Sequence, residues 1–140
     1  MTLVTCIEKE NGMFFNDRRL SIDRYLIDDI IKTIQGNCLL IMDYSYELFK
    51  DKYKNIKIIN ELPNELEKND FIFLENIDIN QVINKFDKII LYNWNTNYPS
   101  DKKLKINSDI WKLNNKTDIL GYSHKKIIKE IYFKENNNEK

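Results

Sequence analysis

The sequence predicts an α/β fold: a mixed, mostly parallel central sheet flanked by helices, with a C-terminal antiparallel hairpin. Three observations predict it. The runs "CLLIM" (38–42) and "KIILYNW" (88–94) are continuous, apolar and of strand length, as expected for strands covered on both faces. Between strand-like segments the chain repeatedly turns helical, which is the connection that parallel strands require. Near the end, "DILGYSHKKIIKEIYFKE" alternates and breaks at Ser123-His124, as an antiparallel hairpin does.

The elements follow in order. "TLVTCIE" (2–8) is β-rich and ends at "KENG", whose Asn11-Gly12 is a turn signal. From Ser21, an N-cap type of residue, "SIDRYLIDDIIKTIQG" places apolar residues at 22, 26, 27, 30, 31 and 34, one helix face, and Gly36 supplies the stop. "CLLIM" is expected to lie centrally in the sheet. A short helical piece around "YELFKD" follows, with Asp43 expected to cap it by accepting from its free N–H groups. "NIKIIN" (55–60) and "DFIFLE" (70–75) read as strands, "DINQVINKF" (78–86) as a short amphipathic helix, and "KIILYNW" as another buried strand. "NWNTNYPSDKK" reads as a loop, with Lys102, Lys103 and Lys105 in solvent.

Composition narrows the function classes. At 140 residues, with 42% hydrophobic and 31% charged residues, the chain suits one soluble globular domain over 1–135, with "NNNEK" (136–140) as a disordered tail. No apolar run reaches the roughly 20 residues of a membrane span, and residues 1–8 carry no secretory pattern, so a cytoplasmic location is expected. Lys plus Arg (22) equals Asp plus Glu (22), which leaves no net field to attract nucleic acid. The two cysteines, Cys6 and Cys38, sit in apolar stretches and give neither a disulfide framework nor a metal cluster. With three glycines in the chain, Gly-rich phosphate loops have no material.

In its order of elements the chain resembles the dihydrofolate reductase family. "LVTCIEKENGMFFNDRRLS" looks like the opening strand, turn and loop. "YLIDDIIKTIQGNCLLIMDYSYE" is similar to the substrate-side helix and the strand after it. "KNIKIIN" looks like the next strand, "FLENIDINQVINKFDKIILYN" like the later strand, helix and strand, and "GYSHKKIIKEIYFKE" like the closing hairpin. The resemblance implies a cleft in which a lone carboxylate on the first helix binds a pterin and an indole shapes the pocket where NADPH delivers hydride.

The residues that carry this chemistry depart from the pattern. Counted back from "LLIM", the carboxylate's place falls on Ile27, and the family's Leu-Pro-Trp falls on Leu20-Ser21-Ile22. Asp28 and Asp23 are the neighbouring acids. At about 100° per residue Asp28 shares the polar face with Arg24 and Lys32, where a surface ion pair is its ordinary use. Asp23 lies in the first turn, where an acid serves the helix dipole. The family's Gly and basic residue after the "CLLIM" strand are replaced by Asp43 and Tyr44, and a carboxylate repels a phosphate. Its Gly-Gly falls on Tyr92-Asn93-Trp94 in one alignment and on Glu75-Asn76 in the other.

The expected function is therefore a non-catalytic, reductase-like protein that binds another macromolecule as a regulator or inhibitor, with no cofactor and no metal. Its Asn-, Ile- and Lys-rich composition suits a mobile or phage-borne gene. The alternative is a divergent NADPH-dependent reductase using Asp28 or Asp23. Cys6, Ile27, Ile31 and Tyr92 are the expected cleft residues. Tyr44, Tyr46, Trp94 and Tyr98 are the expected contact surface, since Tyr and Trp dominate binding hot spots. His124, the one histidine, reads as an exposed turn residue.

Overall fold

The computed structural model describes residues 1–8, 12–15, 18–19, 24–65, 67–75, 77–94, 102–119 and 127–135. The expected N-cap Ser21, the hairpin turn at Ser123-His124, Asp23, Tyr98 and the tail 136–140 lie outside the described residues.

The strands are β1 (Thr2–Ile7), β2 (Gly12–Phe15), β3 (Arg18–Arg19), β4 (Leu39–Met42), β5 (Ile56–Ile59), β6 (Phe71–Phe73), β7 (Lys88–Asn93), β8 (Lys102–Lys103), β9 (Trp111–Ile119) and β10 (Ile127–Lys134). Among the described residues, two α-helices, α1 (Arg24–Ile34) and α2 (Asp43–Phe49), join them. Seven strands form the main sheet in the order β5-β4-β6-β1-β7-β10-β9. Neighbours from β5 to β7 are parallel, whereas β10 runs antiparallel to both β7 and β9. The expected mixed sheet and closing hairpin are both present. A smaller three-stranded sheet, β3-β2-β8, was not expected, and it takes Lys102 and Lys103 out of the predicted loop.

The pleat divides the apolar residues between two cores. Leu3 and Ile7 of β1, Leu40 of β4, and Ile89 and Leu91 of β7 enter one core, which is completed by Ile79, Ile83 and Phe86. Val4 and Cys6, Leu39 and Ile41, and Ile90 and Tyr92 enter the other, under Leu26, Ile27, Ile30 and Ile34 of α1. This explains the continuous apolar runs: strands covered on both faces cannot show period-two alternation. In the second core Phe49 of α2 meets Phe73 of β6 edge to face, with centroids 5.4 Å apart, a contact worth about 0.5–1.5 kcal/mol beyond burial.

Several local expectations are corrected. β4 is second from the edge, and β6 and β1 hold the middle. α2 begins at Asp43 itself, with Met42 in the cap position and no side-chain cap bond, so Asp43 acts on the helix dipole from the first turn. "DINQVINKF" forms two 3-10 turns, Ile79–Gln81 and Ile83–Lys85, separated at Val82 (φ −123°, ψ −4°). The Asp78 side chain starts them by accepting from the Asn80 N–H at 3.1 Å. β9 begins at Trp111, well before the predicted hairpin, because residues 112–118 are exposed on both faces and leave no apolar alternation to read.

Candidate functional site

Parallel strands gather their carboxyl ends on one edge, where α/β folds place their ligands. Here that edge collects Glu8 after β1, Asp43 after β4, Glu75 after β6 and Trp94 after β7. Of the two strand ends on which the two alignments place the family's glycines, that of β6 leads into helical turns.

Acids dominate this edge. Glu75 is 7% exposed and accepts a 2.7 Å hydrogen bond from Ser45 Oγ, itself buried in α2. Glu8 is 2% exposed, and its Oε1 accepts from the Gly12 N–H at 2.7 Å. Asp43 stands exposed at the start of α2, beside the exposed Tyr44. Burial pushes the Cys6 thiol well above its ordinary range, and the nearby Glu75 charge adds to the effect, which favours the protonated thiol.

Beneath the edge, α1 meets the sheet through a polar cluster. Asp29 Oδ2 accepts from the Tyr92 hydroxyl at 2.6 Å and lies 2.9 Å from Lys129 Nζ of β10. Lys129 also donates to Thr33 Oγ1 at 2.7 Å, and Thr33 donates to the Asp29 carbonyl at 2.8 Å. The ammonium lies 5.7 Å from the Tyr92 ring centre. Burial, followed by the Asp29 charge, raises the Tyr92 pKa far above its usual value, so the phenol stays a donor.

Cys6, Ile27 and Tyr92 come together in the second core, with Ile31 partly buried against it. Asp28 points to solvent and lies 3.3 Å from Lys52 Nζ. Asn93 is buried at the end of β7. Two expected surface residues are corrected: Trp94 is fully buried, and Tyr46 packs partly buried against the second core, leaving Tyr44 exposed.

Asp29 and Lys129 were missed from sequence. Asp29 follows an equally polar Asp28, and the periodicity of α1 gives no reason to prefer one over the other. Lys129, distant in sequence, makes the choice.

No protein-family model and no curated sequence matches the chain. Among solved structures it is similar to a dihydrofolate reductase from Enterococcus faecalis complexed with NADP(H) and RAB-propyl. The TM-score is 0.68 over 96% of each chain, at 8% identity. The fold is dihydrofolate-reductase-like.

Proposed function

We propose that this chain is a non-catalytic protein of reductase-like fold that acts by binding another macromolecule, as a regulator or inhibitor. The observation that carries the reading is Glu75. A buried carboxylate, held by Ser45, stands at the end of the strand that leads into helical turns. Two unit charges of like sign about 4 Å apart repel by roughly 1 kcal/mol in water and roughly 4 kcal/mol at an effective dielectric near 20. Asp43 adds a second acid on the same edge, and neither position carries the glycine that lets backbone approach phosphate. Asp29 supports the reading too, since Tyr92 and Lys129 already occupy one of its oxygens. Exposed Tyr44 offers the aromatic contact that a partner surface favours.

Calorimetric titration with NADPH tests the first half. No heat of binding up to millimolar cofactor is expected, and saturable micromolar binding overturns the reading. For the second half, cross-linking in native extract should yield a defined complex that Tyr44→Ala weakens; recovery of the chain alone counts against it.

One observation favours a second reading, a divergent reductase. α1 does carry a carboxylate that reaches the sheet, at Asp29. NADPH-dependent reduction of dihydrofolate that Asp29→Asn abolishes and Asp28→Asn leaves intact would establish it.

A further inference from the structure

On the face of the sheet opposite α1 lies a cavity of about 420 Å³, between the turns after Asp78 and the segment from Lys105 to Trp111. That volume falls within the range of small-molecule sites, about 300–1,000 Å³. Asn80 fixes its walls. Its amide donates to the Lys103 carbonyl and accepts from the Lys105 N–H, both at 2.8 Å, tying the Lys105 segment to the turn that carries Asp78.

The cavity carries one charge of each sign. Asp78 spends Oδ1 on the Asn80 N–H, and its Oδ2 has no partner among the described residues. The Lys105 ammonium likewise has none. An anion and a cation thus line one hollow, Asp78 half-buried and Lys105 exposed at its mouth. The side-chain amides of Asn84 and Asn107 add donors, and Ile83 and Ile110 give an apolar floor.

We propose that the cavity binds a small zwitterion, an α-amino acid with an apolar side chain. Asp78 receives the ammonium, Lys105 the carboxylate, and Ile83 with Ile110 the side chain. Such a ligand satisfies both charges at once. A simple amine or a simple acid engages only one of the two charges, which is the basis of discrimination. The site lies on the other core from Asp29 and Tyr92, so the proposal stands independently of the reading of the acidic edge.

The test is an NMR titration with L-phenylalanine, phenethylamine and 3-phenylpropanoate, following the Trp111 indole N–H and the Asn84 and Asn107 side-chain amides. L-phenylalanine is expected to produce saturable shifts and to bind about tenfold tighter than either analogue. Asp78→Asn, which retains a good capping residue, should weaken L-phenylalanine and the amine by about tenfold and spare the acid. Lys105→Gln should weaken L-phenylalanine and the acid and spare the amine. Unchanged melting temperatures verify that both variants fold. Absence of saturable shifts at these groups, equal binding of the three probes, or indifference to both substitutions overturns the proposal.

Discussion

Tyr92 donates its hydroxyl to Asp29 across 2.6 Å, joining the buried end of β7 to α1, and the oxygen it reaches is the one that faces Lys129. One carboxylate oxygen thus holds a helix to two strands. Tyr92→Phe keeps the ring in the core and removes only the donor, with an expected loss of about 1–2 kcal/mol in urea unfolding. Lys129→Met should cost about 1–3 kcal/mol, because it leaves a partly buried carboxylate without its cation. A double-mutant cycle should give a coupling of about 0.5 kcal/mol or more, and strict additivity would show that the two contacts are independent.

Ser45 and Glu75 form the other cross-element bond, from α2 to the end of β6, at 2.7 Å. Ser45→Ala removes a donor from a buried carboxylate and should destabilise by about 1–2 kcal/mol. Glu75→Gln keeps an acceptor for Ser45, so it should cost less than Ser45→Ala. The reverse order in chemical denaturation would show that Glu75 is held mainly by other groups.

How much of this was legible beforehand differs by element. α1 announced itself because Leu26, Ile27, Ile30 and Ile34 repeat at helical spacing, and all four are buried. β1, β4 and β7 were readable because strands covered on both faces need continuous apolar residues. β9 was not, since solvent on both sides of residues 112–118 removes any pattern. The acidic edge was half legible: Asp43 and Glu75 could be placed at strand ends, but the burial of Glu75 against Ser45 depends on how α2 sits on the sheet. Trp94 misled, because an indole beyond a strand end reads as surface until β7 is seen to continue into the core.

The two thiols should separate kinetically. Cys38 is partly exposed and Cys6 is buried, and burial raises the pKa of both. A disulfide-exchange reagent near pH 8 should label Cys38 in the folded protein and Cys6 only at the rate of unfolding. Equal, rapid labelling of both would refute the burial of β1.

Alkaline pH should destabilise the fold. Cys6, Tyr92 and Tyr132 all hold their protons more tightly when folded, and Tyr132 is pushed up to about 12 by burial and the neighbouring Glu130. The unfolded chain therefore releases protons first, starting near the ordinary thiol value of 9.0, then near the phenol value of 10.0. Their contribution is complete below pH 9 and falls as pH rises through the window up to about 12. Tyr92→Phe should flatten the decline above pH 10; an unchanged slope would mean that this phenol does not contribute.

Gly36 ends α1 with φ +85°, and a Cβ built there meets nothing within 4 Å. Gly36→Ala should therefore cost only the backbone penalty of the left-handed region, about 1 kcal/mol by thermal unfolding. A much larger loss would point to contacts absent from this turn.

The placement of β1 bears on how the chain is made. Thr2 lies opposite both Phe71 and Lys88, so an inner strand emerges from the ribosome long before either neighbour has been synthesised. Until β7 is translated, its apolar residues remain open to wrong partners, and the sheet closes late and through distant pairings. Nascent chains stalled ahead of residue 88 should accordingly be bound by chaperones and cut by proteases, with protection arriving abruptly once that last parallel neighbour is released.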